Sequence, residues 1–275
     1  MEVISKMKKE IGTEEFKKIS LDILWAVHEF CQENNIKYSL ACGTLIGAVR
    51  HKGFIPWDDD VDIYMVREDY NRFMEVFPDL YQGKYELSSF ERKTPQWNYP
   101  FAKVHDVRTI LVEEKKYPIP DMGVGIDVFP IDNAPDEDSE WAAYEKKRKL
   151  LRNIYTIKEL KWRHGRKLSK NLFVMLCNVL LLPISYLTLA KLLDNYSQKY
   201  NHISTNYYAE NCIGRPNNRF LKTDFQDCVE MPFENKMLMV MKGYDNYLRS
   251  FYGDYMKLPP LEEQRLHYRN TVYWK

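Results

Sequence analysis

The sequence predicts an α+β fold: a small mixed core over residues 1–135 followed by a mostly helical extension over 136–275. Three observations predict it. Apolar residues recur at helical spacing near the start, as Phe16, Ile19, Ile23, Val27 and Phe30. Short apolar runs bounded by glycine and proline then alternate with helical stripes up to about residue 131. Beyond residue 136 the texture becomes charged and helical, then apolar.

The elements follow in order. Thr13 can cap the first helix, with Glu14 and Glu15 favourable in its first turn, and Asn34-Asn35 ends it. Residues 38–42 read as a short strand, and Gly43-Thr44 turns the chain into a short helix over 45–49. Gly53 and Pro56 mark a loop, and 61–66 read as a second strand. Tyr70, Phe73, Met74 and Phe77 form a core-facing helical stripe. Residues 97–113 read as strands joined by a turn, and 126–131 as another short strand with Gly125 and Pro130 at its flanks. Helices are expected over 141–159 and from 191 to about 201. The tail from 243, rich in tyrosine and basic residues, is broken by Pro259-Pro260. Its motif near Tyr252 is expected to pack back on the core.

Composition narrows the function classes. Hydrophobic residues make up 45% of the chain, enough for a sizeable core. Lys and Arg total 40 against 39 Asp and Glu, for a net charge of +1, which argues against a nucleic-acid binder. The five cysteines (Cys31, Cys42, Cys177, Cys212 and Cys228) are odd in number and lack CxxC spacing. They read as reduced, mostly buried thiols of a cytoplasmic protein rather than a disulfide or zinc framework. Residues 1–10 lack the apolar run of a signal peptide. Residues 172–190 carry no formal charge and follow a basic run over 161–170. This stretch suits a helical hairpin, a helix lying on the inner face of a membrane, or a spanning helix interrupted by Pro183.

The most informative stretch is 42–65, CGTLIGAVRHKGFIPWDDDVDIYM. Strand side chains alternate faces, so Asp60 and Asp62 share one face while Val61 and Ile63 point to the core. Two adjacent carboxylates repel unless one is protonated or a cation sits between them. Mg²⁺ suits such a pair, since it takes carboxylate oxygens and leaves positions open for phosphate. One or two ions, with Mn²⁺ as a substitute, would serve a phosphoryl displacement. A third acid is expected from a neighbouring strand. Asp127 is the best candidate because Ile126 and Val128 would face the core; Asp132 is the alternative. Gly43 lets backbone approach a phosphate, Thr44 adds a hydroxyl, and the following helix offers free N–H donors. Arg50, His51 and Lys52 lie in the next loop, where they can meet an anionic donor.

The block from Gly43 to Asp62 resembles the LicD family, phosphocholine transferases and relatives that decorate cell-surface glycans, a group that includes fukutin and the fukutin-related protein. Phe101-Ala102-Lys103-Val104 with Asp106, residues 125–132, and Tyr252-Gly253-Asp254-Tyr255-Met256 with Pro259-Pro260 and Arg265 are similar to further family motifs. The resemblance implies a nucleotidyltransferase fold and transfer of a phospho-substituted group from a CDP-activated donor such as CDP-choline. The acceptor would be a sugar hydroxyl of a glycan, lipid-linked glycan or teichoic-acid precursor. It implies Asp60 and Asp62 as metal ligands with Asp127 as third acid and Asp58 in support. Gly43 and Thr44 would hold the donor phosphate, and Lys103 would neutralise the pyrophosphate. Choline would need an aromatic face, for which Trp57, Trp97 and Tyr99 are the nearest in sequence. Phosphoribitol, phosphoglycerol or phosphoethanolamine transfer uses the same machinery, as does nucleotidyl transfer to a small acceptor. A glycosyltransferase DxD site and a non-enzymatic scaffold fit less of the motif.

Overall fold

The computed structural model describes residues 9–58, 60–113, 116–210, 219–264 and 271–275. Helix α1 (Thr13–Glu33) turns Ile19, Ile23, Val27 and Phe30 into the core, as their spacing predicts. Gly12 rather than Thr13 caps it, and Asn35 leaves it in the left-handed region at φ 51°. Strand β1 (Ser39–Leu40) is shorter than expected, because helix α2 already begins at Cys42 and runs to His51. Gly43 and Thr44 therefore lie inside the first helical turn rather than in a turn before it.

Strand β2 (Asp62–Val66) leads directly into α3 (Arg67–Val76), whose Tyr70, Phe73 and Met74 are buried. Phe30 meets Phe73 and Phe77 edge-on at ring centroids of 5.8 and 4.8 Å, closing α1 onto α3. Each such side chain, fully buried, stabilises the fold by roughly 1.5–3 kcal/mol. Strands β3 (Tyr85–Ser88), β4 (Ala102–Asp106), β5 (Thr109–Val112) and β6 (Gly125–Ala134) follow. The strands expected within 97–113 form, yet β4 and β5 are not partners: β5 pairs with β11 (Thr271–Trp274).

The main sheet runs β1-β2-β6-β4-β3, antiparallel except for the parallel pair β2–β6. Strand β6 is the longest, and Pro130 lies within it rather than at its flank. The position tolerates proline. On one edge β4 covers Gly125 to Val128 and β7 (Tyr207–Glu210) resumes only at Ile131, so Pro130 is unpaired on that edge while β2 sets Met65 beside it on the other.

The second half holds more strand than its sequence predicts. Helices α4 (Asp138–Glu159), α5 (Leu168–Leu180) and α6 (Tyr186–Ser197) come first. Then β7 and β8 (Arg219–Leu221) extend the main sheet through β6. Short α7 (Lys222–Gln226) precedes the hairpin β9 (Cys228–Phe233) and β10 (Lys236–Met241), and α8 (Tyr244–Tyr252) follows. These strands escape a helical reading because apolar β-rich runs such as KMLMVM carry no period of their own. The apolar stretch forms two helices, α5 and α6, each packed against α4 rather than closed into a hairpin, and the second starts at Tyr186 rather than Lys191. Among the described residues, no helix is long and apolar enough to cross a membrane.

Of the described cysteines, Cys31 and Cys42 are buried while Cys177 and Cys228 are half-buried; all four are free thiols. Cys212, Asp59, Arg265 and the first eight residues lie outside the described residues.

His105 on β4 supplies a pH-dependent element of stability. Its Nδ1 accepts from the Gly123 N–H (3.4 Å), and its Nε2 pairs with Ser88 Oγ (3.0 Å). Burial, with smaller effects from nearby charges, pushes its pKa down to about 4 from 6.5. Below pH 6.5 the unfolded chain binds a proton that the folded chain excludes, so stability falls with pH and keeps falling to about pH 4. The expected loss over that window is roughly 3 kcal/mol. His105→Asn should flatten this dependence, read as urea midpoints from neutral pH to about pH 4.5. Parallel profiles for the two proteins would assign the acid sensitivity elsewhere.

Candidate active site

The parallel register of β2 and β6 places Asp62 directly opposite Asp127. Antiparallel β4 places Lys103 opposite Asp127 from the other side. Three charged side chains thus meet across three adjacent strands. The Lys103 ammonium pairs with Asp127 Oδ1. Burial alone would lower the lysine's pKa, but Asp127 reverses this, helped by Glu113 and Asp62, and holds it above its ordinary value.

Asp62 is the most stressed member. Burial first, then the charges of Asp60, Asp127 and Asp58, raise its pKa well above the usual carboxylate range, against a smaller opposing pull from Lys103. Three acids therefore act on a fourth here. Among the described residues, no group of three or more His, Cys, Asp or Glu side chains forms a ready-made metal cage. The donor set still fits Mg²⁺, which binds through one or two carboxylates and keeps waters or substrate phosphates in its other positions. Asp60 and Asp62 supply such a pair.

Helix α2 reaches the acids at its N-terminal end. Cys42 starts it at φ 47°, a conformation that costs a non-glycine residue on the order of 1–2 kcal/mol. At Gly43 a Cβ would push the Asp58 carboxylate aside. Glycine is required at 47, where a Cβ would strike the Gly53 carbonyl of the returning loop. Thr44 differs from the expected phosphate ligand: it is 4% exposed, and its Oγ1 accepts the Asp62 N–H at 2.9 Å. Its observed role is to tie α2 to the carboxylate strand.

A cleft of about 600 Å³ opens over Gly43, Asp58, Asp60 and Asp62. Arg50 and Trp57 form part of its wall. The facing wall comes from 190 or more positions further along the chain: Tyr252, Asp254, Tyr255, Lys257, Pro259 and Pro260. Arg50 holds that segment by donating through Nη1 to the carbonyls of Tyr255 (2.6 Å) and Lys257 (3.3 Å). Behind it, Tyr64 on β2 meets Tyr247 on α8, hydroxyl to hydroxyl at 3.0 Å, and Cys42 Sγ at 3.3 Å. Residue-by-residue reasoning assigned no role to Tyr252, Asp254, Tyr255 or Lys257. Their one signal was the motif around Tyr252.

Other expected residues lie elsewhere. Lys52 is exposed, caps α2 at φ 57° and gives its carbonyl to the Glu234 N–H; it is not among the residues lining the cleft. Trp97 is 1% exposed against Ile119 and Met122, with no face for a ligand. Tyr99 turns its ring to the Lys103 ammonium, 4.9 Å from the centroid, and donates to Glu113 at 3.2 Å. His51 stands edge-on to Trp57, its pKa lowered by burial and by Arg50. Asp132 points away, bound to Arg67 on the far face of β6.

Residues 35–156 match the family model described as LicD/FKTN/FKRP, nucleotidyltransferase domain. The chain is also 31% identical over 271 residues to the lipopolysaccharide cholinephosphotransferase LicD of Haemophilus influenzae, covering 96% of this chain and 99% of that protein. The chain belongs to the LicD family. Two shorter stretches also match: 42% identity over 80 residues to an uncharacterised protein of Rickettsia typhi, and 44% over 77 residues to one of Rickettsia prowazekii. These cover 29% and 28% of this LicD-family chain, and 26% and 29% of the respective relatives.

Proposed function

We propose that this LicD-family chain is a phosphocholine transferase of the nucleotidyltransferase fold, working at the cytoplasmic face of the membrane. It would take phosphocholine from CDP-choline and place it on a sugar hydroxyl of a cell-surface glycan or its lipid-linked precursor. The observation that carries the reading is the register of Asp62, which lines the cleft, against Asp127 on the next strand, with Lys103 opposite Asp127. The full-length similarity to a lipopolysaccharide cholinephosphotransferase supports the choice of cargo.

In the reaction, the acceptor oxygen attacks the phosphorus that bears choline. A new P–O bond forms to the sugar, the bond to CMP breaks, and the hydroxyl proton passes to a carboxylate. Asp127 is our choice for that proton. Lys103, held charged, neutralises the pyrophosphate. Asp60 and Asp62, with Asp58 in support, would hold Mg²⁺, which when bound supplies charge stabilisation at the transferring phosphoryl oxygens. Gly43 lines the cleft at the start of α2, where the donor phosphate would lie, and Arg50 borders the same cleft. Trp57, with Tyr252 and Tyr255 in the same wall, favours a quaternary ammonium over a polyol, since the ring face attracts a cation.

The test is a thermal-shift screen with Mg²⁺ and CDP-choline, CDP-ethanolamine, CDP-ribitol, CDP-glycerol and UDP-sugars, followed by assay of CMP release. A ligand that binds only the folded state raises Tm. CDP-choline should give the largest rise, and Trp57→Ala should remove most of its advantage over CDP-ribitol. Stabilisation by another CDP conjugate keeps the mechanism and replaces the cargo. A response confined to UDP-sugars would overturn both.

A further inference from the structure

Helix α5 is amphipathic the wrong way round. The residues it turns toward the protein are Asn171, Val174 and Asn178. Both asparagines are tied down there. Asn171 donates to the Arg163 carbonyl at 3.0 Å, and Asn178 donates to the carbonyls of Ile157 (3.2 Å) and Leu160 (3.3 Å). Their polar fixing sets the rotation of the helix, and that rotation sends the apolar residues outward. Leu172, Phe173, Leu176, Val179, Leu180 and Leu182 are between 54% and 72% exposed. Isolated surface leucines are ordinary; a contiguous outward stripe marks an interaction surface.

Its surroundings identify the occupant. The segment before α5 carries Lys161, Arg163, Arg166, Lys167 and Lys170, and no acidic residue occurs between 160 and 194. Trp162, in the same basic segment, is 46% exposed. A protein partner would not require this arrangement of one charge sign and an aromatic around an apolar stripe. A bilayer with anionic headgroups does: basic side chains meet phosphates, tryptophan sits at the headgroup level and the stripe enters the acyl boundary. The helix has 13 residues, too few to span, so it would lie in the plane of the membrane.

We propose that α5 and the basic segment before it dock the protein on an anionic lipid surface. The proposal deepens the reading above only in the choice of a lipid-linked acceptor. Lipid binding is measured without the transfer reaction, so either can fail alone.

The experiment is flotation of the full chain with vesicles of phosphatidylcholine alone or mixed with phosphatidylglycerol. The protein should float with the mixed vesicles, less so as salt is raised. The F173S/L176S double variant should lose about tenfold or more of that partitioning. Both side chains are exposed, so its Tm and near-UV circular dichroism should match the parent. Should it fail to fold, K167Q/K170Q tests the same surface and should weaken binding to the mixed vesicles selectively. Failure to bind mixed vesicles at low salt would overturn the proposal, as would equal binding to neutral ones. A dimer by light scattering that F173S/L176S splits, without vesicle binding, would assign the stripe to a second copy of this chain.

Discussion

Asp62→Asn is expected to lower turnover by at least about a thousandfold and to raise the Tm of the ligand-free protein. Both effects have one origin. Asp62 is buried, and the charges of Asp60, Asp127 and Asp58 crowd it. Its folded pKa lies above the unfolded value, so above the ordinary carboxylate range the folded chain gives up a proton against resistance, and stability falls as pH rises. Asparagine keeps the shape and removes the charge. The Tm gain should therefore grow from acid to neutral pH. Mg²⁺ should stabilise the parent and leave the variant nearly unmoved, because half of the carboxylate pair is gone. Differential scanning fluorimetry with and without Mg²⁺, beside a CMP-release assay, reads all three. An active Asp62→Asn enzyme would move the chemistry away from this strand.

The largest effect on stability is expected at Asp132. Arg67 opens α3, and its guanidinium grips Asp132 with two bonds of 2.8 Å, while Nη2 also lies 2.9 Å from Asp194 Oδ1. Asn201 adds a bond of 2.6 Å to Asp132. Both partners are nearly sealed from solvent, at 8% and 0% side-chain exposure. Burial pushes the Asp194 carboxyl up to about 6 against the opposing pull of Arg67. Asp132→Ala leaves the arginine buried with one weakened partner, at an expected cost of about 3–5 kcal/mol. Urea unfolding should show a matching fall in midpoint at unchanged slope. In a double-mutant cycle, R67M/D132A should cost clearly less than the two single changes together. Additive losses would mean that the pair is not a unit.

Period-2 alternation is local and holds only inside a strand: β2 begins at Asp62, so Asp60 lies just before it, and the two aspartates come together as lining of the cleft. The choice between Asp127 and Asp132 turned on the same rule, since residues five apart on one strand face opposite ways. Register is not local: nothing in either strand announces that Asp62 pairs with Asp127 and Asp127 with Lys103. Trp97 looked available because sequence proximity says nothing about burial. The strands after α6 were missed because short apolar runs suit helix and strand alike. Helix α5 shows the same limit, for the inward anchoring of Asn171 and Asn178 reverses the face that hydrophobicity would bury.

The far wall of the cleft has a temporal consequence. Chains leave the ribosome from the N-terminus at about 5–20 residues per second, and early segments fold first. The carboxylates are complete once β6 has emerged, whereas the carbonyls that Arg50 holds belong to Tyr255 and Lys257. A growing chain thus carries its full set of acids for seconds before it can enclose a donor. The half-made chain has its acids without the far wall of the cleft, and premature termination before Tyr252 would leave it permanently in that condition.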